Sequence, residues 1–174
     1  PITLRNAGTP HPKPNDSAYR WHTKSNWALS CIPTLKHSAP YSGSGSRGGE
    51  GFLAIAPDGT KYHFDWMVEY AEKQVKQLVW TQTTGALGSY NASEAKLPRV
   101  EARIYPTRME DRFGNWVNYT WSGKRLTAIS SSDGRSISIA YNASNRISSI
   151  TAAGETTTYG YDSNGSLTSV TKAD

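Results

Sequence analysis

The residues of this chain that could carry chemistry are scattered along it. The four histidines, His11, His22, His37 and His63, stand far apart, and none has a second ligand at a spacing typical of metal sites. Cys31 is the one cysteine of the 174 residues and can form no internal disulfide, so a small core residue is its expected role. The sequence therefore predicts no metal site and no disulfide framework.

A glycine-rich stretch, Gly43-Ser-Gly45-Ser-Arg-Gly48, matches the dinucleotide-binding fingerprint letter for letter. A functional fingerprint follows a buried strand and opens a helix. This one lies in a Ser/Gly-rich loop and precedes a strand pattern, so we predict that the chain binds no nucleotide cofactor.

Paired carboxylates could support glycoside hydrolysis, which needs one acid and one base or nucleophile. The fourteen acidic residues would supply such pairs by chance, and Asp58, Asp133 and Asp162 stand in turn sequences that their side chains would cap. No Ser/His/Asp or Cys/His arrangement has local support. We therefore predict no catalytic residue, with a glycosidase-like hydrolase as a remaining alternative. The carboxylates that could pair are Asp58, Asp65, Glu69, Glu101, Glu110 and Asp111.

The composition is typical of a β protein with large polar faces. Only 36% of residues are hydrophobic and 19% charged, while 11% are aromatic, which gives the chain enough apolar area to fold. The net charge of +5 comes from scattered Lys and Arg, which indicates no nucleic-acid partner. No stretch of 18 apolar residues is present, so we predict no membrane span.

The first 110 residues predict irregular structure followed by strands. Residues 1–47 indicate an extended, irregular segment with a Ser/Gly-rich loop, and residues 48–110 indicate strands that lead into a repeat region. Within 48–110, Pro57-Asp58-Gly59 predicts a hairpin turn, and 99–110 predict a strand bent at Pro106. Residues 67–98 indicate an insertion, with either a short helix or irregular structure over 67–82 and a loop over 85–96.

From residue 111 to 171 the sequence becomes self-similar in three lines. In each line a glycine precedes an aromatic residue by seven positions, and two branched aliphatic residues, three apart, follow the aromatic. Alternation before the aromatic and turn formers after it predict three β-hairpins. The signature residues are Gly114, Trp121, Leu126 and Ile129 in the first line, Gly134, Tyr141, Ile147 and Ile150 in the second, and Gly154, Tyr161, Asp162, Gly165, Leu167 and Val170 in the third.

Two features of the repeat leave alternatives open. Leu126 and Ile129 would fall on opposite faces of a regular strand, so either a β-bulge separates them or both faces are partly covered. Tyr119, Trp121, Tyr141 and Tyr161 either stack on one another along the sheet or present a platform that binds polysaccharide. We expect stacking, with a carbohydrate- or cell-wall-binding module as the alternative function.

A two-stranded hairpin is marginal in water, so the repeats must stack edge to edge in one sheet. The sequence therefore predicts an all-β fold of antiparallel hairpins in one extended, curved sheet with an irregular N-terminal segment. Such a repeat specifies a surface and not a catalytic point. Its outer strand should pair with further repeats or with another chain.

The segment from Tyr161 to Val170 closely resembles the consensus of the YD repeats of RHS proteins, and Tyr141-Asn-Ala-Ser-Asn-Arg-Ile147 is similar to it. Residues 51–62 and 105–116 resemble segments that precede such repeats. The resemblance implies a spiralling β shell that encloses a C-terminal toxin in secreted or surface-associated bacterial proteins, and related repeats occur in teneurins. It also implies a scaffold role without cofactors, with a toxin domain as a partner.

Overall fold

The computed structural model describes residues 5–6, 21–33, 35–39, 50–82 and 90–173. All regular structure in these ranges is β-strand, in a single 13-stranded sheet. The prediction of an all-β fold of antiparallel hairpins in one extended sheet is therefore confirmed. Most of the segment 1–47 lies outside the described residues, including the glycine-rich stretch 43–48.

Five short strands form the N-terminal part of the sheet. They are β1 (Arg5–Asn6), β2 (Trp21–His22), β3 (Ala28–Ile32), β4 (His37–Ala39) and β5 (Gly51–Ile55). Strands β1, β2, β3 and β5 pair antiparallel in that order, and β4 lies apart from this path. The fully buried residues cluster around β5 and the strand after it, which places the core of the described residues here. Its apolar members are Ala54, Ile55, Ala56, Met67 and Val68.

Two long strands, β6 (Lys61–Gln82) and β7 (Tyr90–Glu110), form the longest hairpin. The helix or irregular structure predicted over 67–82 is wrong, because the backbone there pairs residue by residue with β7. The loop predicted over 85–96 is wrong from Tyr90 onward for the same reason. From Ala71 to Val79 the apolar side chains of this segment have no core to pack against, since residues 71–79 are exposed. Backbone pairing, and not burial, decides the structure of this segment.

Beyond residue 69, β7 is the one described strand that pairs with β6. Strand β5 pairs with β6 over Lys61–Phe64, and β4 runs parallel to β6 over Trp66–Val68. Residues 70–82 and 90–101 therefore leave the body of the sheet as a two-stranded ribbon. It carries exposed apolar side chains, such as Leu78 at 62% exposure, and the ion pair Lys76–Glu94 with Nζ to Oε2 at 3.3 Å.

At the base of the ribbon, β6 and β7 each contain a bulge. The register passes from Phe64↔Pro106 to Trp66↔Tyr105, which leaves Asp65 as an extra residue on β6. It passes from His63↔Arg108 to Phe64↔Pro106, which leaves Thr107 extra on β7. The bend predicted at Pro106 thus coincides with two facing bulges, the feature that bends and twists a hairpin.

The two extra residues bind each other and a lysine. Thr107 Oγ1 donates a short hydrogen bond to Asp65 Oδ1, and Lys36 Nζ lies 3.0 Å from Asp65 Oδ2 and 3.1 Å from Thr107 Oγ1. Asp65 and Thr107 are buried, so each needs such partners. The backbone N–H of Lys36 also donates to the carbonyl of Asp65 at 2.8 Å. This cluster fixes the segment before β4 against the bulges.

Six strands form the C-terminal part of the sheet as three consecutive hairpins. They are β8 (Trp116–Ser122) with β9 (Arg125–Ser131), β10 (Ser136–Tyr141) with β11 (Ile147–Ala152), and β12 (Glu155–Tyr161) with β13 (Leu167–Lys172). Each hairpin pairs antiparallel with the one before it, and β8 pairs with the end of β7.

A bulge stands at the same place in each of these hairpins. The register shifts after Thr120, Ala140 and Gly160, and it leaves one extra residue on the second strand each time. The extra residues are Thr127, Ser148 and Thr168. Because the bulge lies between the two aliphatic residues, Leu126 and Ile129 pair with Trp121 and Tyr119 and share a face with them. Of the two alternatives left open by the sequence, the bulge is the one found.

The register gives the repeat sheet two unlike faces, because directly paired residues point to the same side. The apolar face is defined by Val117, Tyr119, Trp121, Leu126, Ile129, Ile137, Ile139, Tyr141, Ile147, Ile150, Thr157, Tyr159, Tyr161, Leu167 and Val170. The register also places Ser131, Ala152, Glu155 and Lys172 on this side, at the ends of their strands. The hydroxyl face is defined by Asn118, Thr120, Ala128, Ser130, Ser136, Ser138, Ala140, Ser149, Thr151, Thr156, Thr158, Gly160, Ser169 and Thr171.

We predict that Gly51→Ala destabilises the fold. A Cβ at this position would lie 2.6 Å from the backbone oxygen of Phe64, next to the bulge at Asp65, and backbone cannot move away cheaply. The free energy of unfolding should fall by about 2–3 kcal/mol, as for an overpacked core site, measured by urea denaturation. In the control Gly160→Ala, the Cβ would meet the Ser169 Oγ, a rotatable side-chain atom, so the loss should be clearly smaller. Equal losses would show that the bulge does not constrain Gly51.

Candidate functional site

The described residues contain six copies of one five-residue turn. In each copy the N–H of the first residue donates to the carbonyl of the fifth, and the N–H of the fourth donates to the carbonyl of the first, over 2.8–3.2 Å. The fourth residue is always in the left-handed region, where Gly and Asn are favoured. These residues are Asn26, Gly59, Gly114, Gly134, Asn145 and Gly165, with φ between 60 and 89°. The turn at 23–27 was not predicted, although Asn26 was a usable signal.

Side-chain oxygens of Asp and Asn cap these turns. Asp111 Oδ1 accepts hydrogen bonds from the N–H groups of Phe113 and Asn115, and Asp162 Oδ1 accepts one from Ser166. Asp58 and Asp133 accept from the residue two positions on. The capping role predicted for Asp58, Asp133 and Asp162 is confirmed.

The hydrogen bonds of the caps also lower the pKa of two of the capping carboxyl groups. The Asn115 side-chain amide, with backbone N–H groups, keeps the pKa of Asp111 below its usual value. The Arg135 side chain, with help from Ser131, does the same for the pKa of Asp133. Carboxylates held ionised and hydrogen-bonded in this way are poorly suited to acid–base catalysis.

The signature aromatics connect successive hairpins by one recurring hydrogen bond. The Trp121 Nε1–H donates to the Pro106 carbonyl at 2.8 Å, and the Tyr141 hydroxyl donates to the Leu126 carbonyl at 2.9 Å. The Tyr161 hydroxyl donates to the Ile147 carbonyl at 2.8 Å. Trp121, Tyr141 and Tyr161 are thus equivalent in the structure.

The acceptor is in each case the residue directly before the bulged residue. Backbone pairing to the next hairpin starts only after the bulge, for example at Ala128 on β9 and at Ser149 on β11. The carbonyls of Leu126 and Ile147 therefore lie outside that ladder, and the aromatic donor of the next hairpin satisfies them.

The residue before each acceptor covers the aromatic ring. The Tyr105 ring packs on Trp121 with centroids 4.6 Å apart. The guanidinium carbons of Arg125 and Arg146 lie 5.4 and 5.7 Å from the ring centroids of Tyr141 and Tyr161. The expectation that the signature rings stack on one another is therefore wrong. Equivalent rings are two strands apart, roughly 9.6 Å, and the aliphatic strand stands between them.

The end of β7 behaves as a further copy of the second strand. Tyr105, Pro106, Thr107 and Met109 occupy the positions of Arg125, Leu126, Thr127 and Ile129, since Pro106 accepts the same hydrogen bond and Thr107 is the bulged residue. On β6, Tyr62 and Phe64 pair with Met109 and Pro106 as Tyr119 and Trp121 pair with Ile129 and Leu126. The β6/β7 hairpin is a repeat unit in which the ribbon replaces the short turn.

The backbone conformation of Gly165 requires glycine, and the side chain of Arg146 lies over it. Its φ of 84° is strained for residues with a Cβ, and a Cβ there would lie 1.7 Å from Arg146 Nη2. The guanidinium of Arg146 thus runs over Gly165 while it also covers Tyr161. The turn conformation is what requires glycine at this position of the YD-type repeat, since the Arg146 side chain could move aside.

A cluster of aromatic residues and cations anchors the first repeat to the base of the ribbon. The hydroxyls of Tyr70 and Tyr105 are 2.9 Å apart, and this hydrogen bond is the main reason why the pKa of Tyr70 is raised. Lys124 Nζ lies 4.4 Å from the Tyr70 ring centroid, and Trp66 Nε1 donates to the Gly123 carbonyl at 2.9 Å. These contacts hold the turn between β8 and β9 against β6.

The carboxylates considered for catalysis are mostly engaged in ion pairs. Glu101 binds Arg103 at 2.8 Å, Glu110 binds Arg108 at 2.9 Å, and Asp65 binds Lys36. Among the described residues, no group of three or more His, Cys, Asp or Glu side chains could hold a metal ion. The same residues include no helix long and apolar enough to cross a membrane.

We predict that the recurring hydrogen bond is worth about 1 kcal/mol at each join. Tyr141→Phe and Tyr161→Phe should each lower the free energy of unfolding by roughly that amount, because a carbonyl outside the ladder loses its donor. Tyr159→Phe is the matched control, since it removes a hydroxyl from the same face for which no hydrogen bond is recorded, and it should change stability little. Equal effects at Tyr159 and Tyr161 in urea titrations would contradict the role of the acceptor carbonyl.

Part of the repeat region matches a known protein family. The comparison with the curated proteins found no match. The model of the RHS Repeat family matches residues 141–174, a segment that starts at the signature residue Tyr141 and includes Tyr161, Gly165 and β13. Residues 141–174 are therefore similar to the RHS Repeat family, and this segment of the chain is of the RHS/YD-repeat type.

Proposed function

We propose that this chain is a structural segment of a β-sheet shell that helps to enclose or present a C-terminal toxin in a secreted bacterial effector. The observation that carries the proposal is the equivalent hydrogen bond between hairpins at Trp121, Tyr141 and Tyr161. A join that recurs at the same position extends a sheet by the same step each time. Secretion or surface display is part of the proposal and rests on the similarity of residues 141–174 to the RHS Repeat family.

The apolar face of the repeats supports a role in covering another body. The sheet is a single layer, and the face that carries Ile137, Ile139, Ile150 and Tyr159 is only half-buried. A sheet with one apolar face reaches its stable form when a second layer covers that face. An enclosed domain would supply such a layer, and the uncharged hydroxyl face would remain on the other side.

A scaffold role also agrees with the state of the polar side chains. The turn aspartates cap backbone N–H groups, and Asp65, Glu101 and Glu110 bind cations. In these contacts the carboxylates stabilise the sheet and the turns. We therefore favour a structural function over hydrolysis.

The rival function, a platform that binds polysaccharide, is less suited to these aromatic residues. A ring that stacks on a sugar needs a free face, but Tyr141 and Tyr161 each have a guanidinium over the ring. Their hydroxyls are donated to backbone carbonyls and are not available to a sugar. A polysaccharide is the alternative ligand of this chain.

In the full-length polypeptide that carries this segment, an enclosed C-terminal domain should resist protease. We expect a C-terminal fragment to survive under native conditions and to be cut once urea unfolds the sheet, because the shell blocks access. Ile139→Asp places a charge on the apolar face and should shorten the survival of the fragment, while Ser138→Asp, its neighbour on the hydroxyl face, should not. Survival times that are the same in all three proteins would contradict enclosure.

The purified 174-residue chain should turn over neither polysaccharide nor nucleic acid, with or without added divalent cations. This expectation follows from carboxylates that already have partners. Release of reducing ends or of acid-soluble nucleotides would be measured. Turnover that one substitution abolishes, such as Glu101→Gln, would contradict it, and binding of a glycan that Tyr141→Ala removes would favour the polysaccharide platform.

A further inference from the structure

The outer edge of β13 is the C-terminal end of the described sheet. Strand β13 pairs with β12 on one side, and no described strand lies on its other side. Every residue of β13 is exposed, and Leu167 and Val170 keep 54% and 58% of their surface in contact with solvent. An edge of this kind offers unpaired N–H and C=O groups to another strand.

The three preceding joins share one register. Met109 pairs with Val117, Ile129 with Ile137, and Ile150 with Thr157. In each pair the second residue stands four positions before the aromatic that donates to the acceptor carbonyl. The second aliphatic residue of one hairpin therefore sets the position of the next aromatic. In β13 the corresponding residue is Val170, and the corresponding acceptor is the Leu167 carbonyl.

We propose that the β13 edge binds the first strand of a further hairpin of this type, and that an aromatic O–H or N–H donated to the Leu167 carbonyl selects that strand and its register. This inference rests on the proposed function, because it names the partner of the shell edge. The partner strand carries an apolar residue or Thr opposite Val170 and its aromatic donor four residues later. Small uncharged residues alternate with them on the hydroxyl face.

Two features that usually protect an edge do not protect this one. Lysine often protects an edge by its charge, but Lys172 Nζ lies 2.7 Å from Glu155 Oε2 on the neighbouring strand. This ion pair neutralises the charge of Lys172. The bulge at Thr168 matches those at Thr127 and Ser148, and at both of these the next hairpin pairs in spite of the bulge. The edge is therefore continuous with interfaces that are already formed within the chain.

One position differs between this edge and the formed joins. Tyr105, Arg125 and Arg146 cover the incoming ring, whereas Ser166 stands at the equivalent place on the last strand. The aromatic residue of a partner strand could donate to the Leu167 carbonyl, but Ser166 is too short to cover its ring. This makes the hydrogen bond the main determinant of recognition and suggests a substitution that improves binding.

The probe is a synthetic peptide with the sequence of residues 132–152, which contains the second hairpin with Tyr141. Titrated into the ¹⁵N-labelled chain, it should shift the amide resonances of β13. The same peptide with Phe in place of Tyr141 should bind about 5-fold more weakly, since it lacks one hydrogen bond of roughly 1 kcal/mol. A third peptide with the Tyr moved by one residue should not bind, because a one-residue slip turns its side chains to the other face.

The variant Ser166→Arg should bind the Tyr peptide about 2- to 5-fold more tightly, because it restores a guanidinium over the ring. The side chain of Ser166 makes no hydrogen bond or ion pair among the described residues, and Arg146 stands at the equivalent position of its own turn. Ser144→Arg is the matched control, since it adds the same charge to an exposed turn. It should leave the affinity unchanged.

The proposal is overturned if the Tyr peptide causes no shifts in β13, or if the Tyr and Phe peptides bind equally. It is also overturned if ultracentrifugation shows that the chain pairs with a second copy through β13 and that the peptide cannot displace it. Failure here with protease protection intact would leave the proposed shell in place and remove only the recognition rule. Peptide binding at β13 without protease protection would support the recognition rule and contradict the enclosed domain.

Discussion

The repeat sheet depends on a backbone carbonyl that a bulge takes out of the ladder. A bulge re-aims one strand, so the carbonyl before it cannot reach the backbone of the next hairpin. A buried or half-buried carbonyl without a donor costs about 1–3 kcal/mol, and a tyrosine hydroxyl or indole N–H removes that cost. Pro106, Leu126 and Ile147 are all satisfied in this way. The aromatic residue therefore supplies a hydrogen bond between hairpins in addition to its apolar surface.

Much of the remaining sequence pattern follows from this bond. The bulge needs a second strand whose aliphatic residues are three apart, and Leu126 with Ile129 have this spacing. The ring needs a cover, which Tyr105 or an arginine provides from the position before the acceptor. The hairpins are closed by a turn with one left-handed residue, so Gly or Asn recurs there. Stability is then shared among many modest contacts between neighbours, as in other repeat proteins.

The N-terminal part shows how the same unit accepts a long insertion. The β6/β7 hairpin keeps the pairing of a repeat at its base and replaces the turn with the ribbon. At that base a second bulge, at Asp65, faces the bulge at Thr107. Two extra residues in a buried position need partners, and Lys36 supplies a cation to both. The buried cluster is thus a structural consequence of the insertion.

Local pattern in the sequence was enough to determine the β class, the hairpins after residue 111 and the turn role of the aspartates. Alternation, turn residues and a period near twenty act over a few residues, so no distant partner is needed to detect them. The tertiary structure alone decided that residues 67–82 are strand, because an ambiguous apolar pattern is settled by which backbone lies beside it, here β7. It alone also showed where each tyrosine hydroxyl goes, because Leu126 and Ile147 meet Tyr141 and Tyr161 only once the hairpins are stacked.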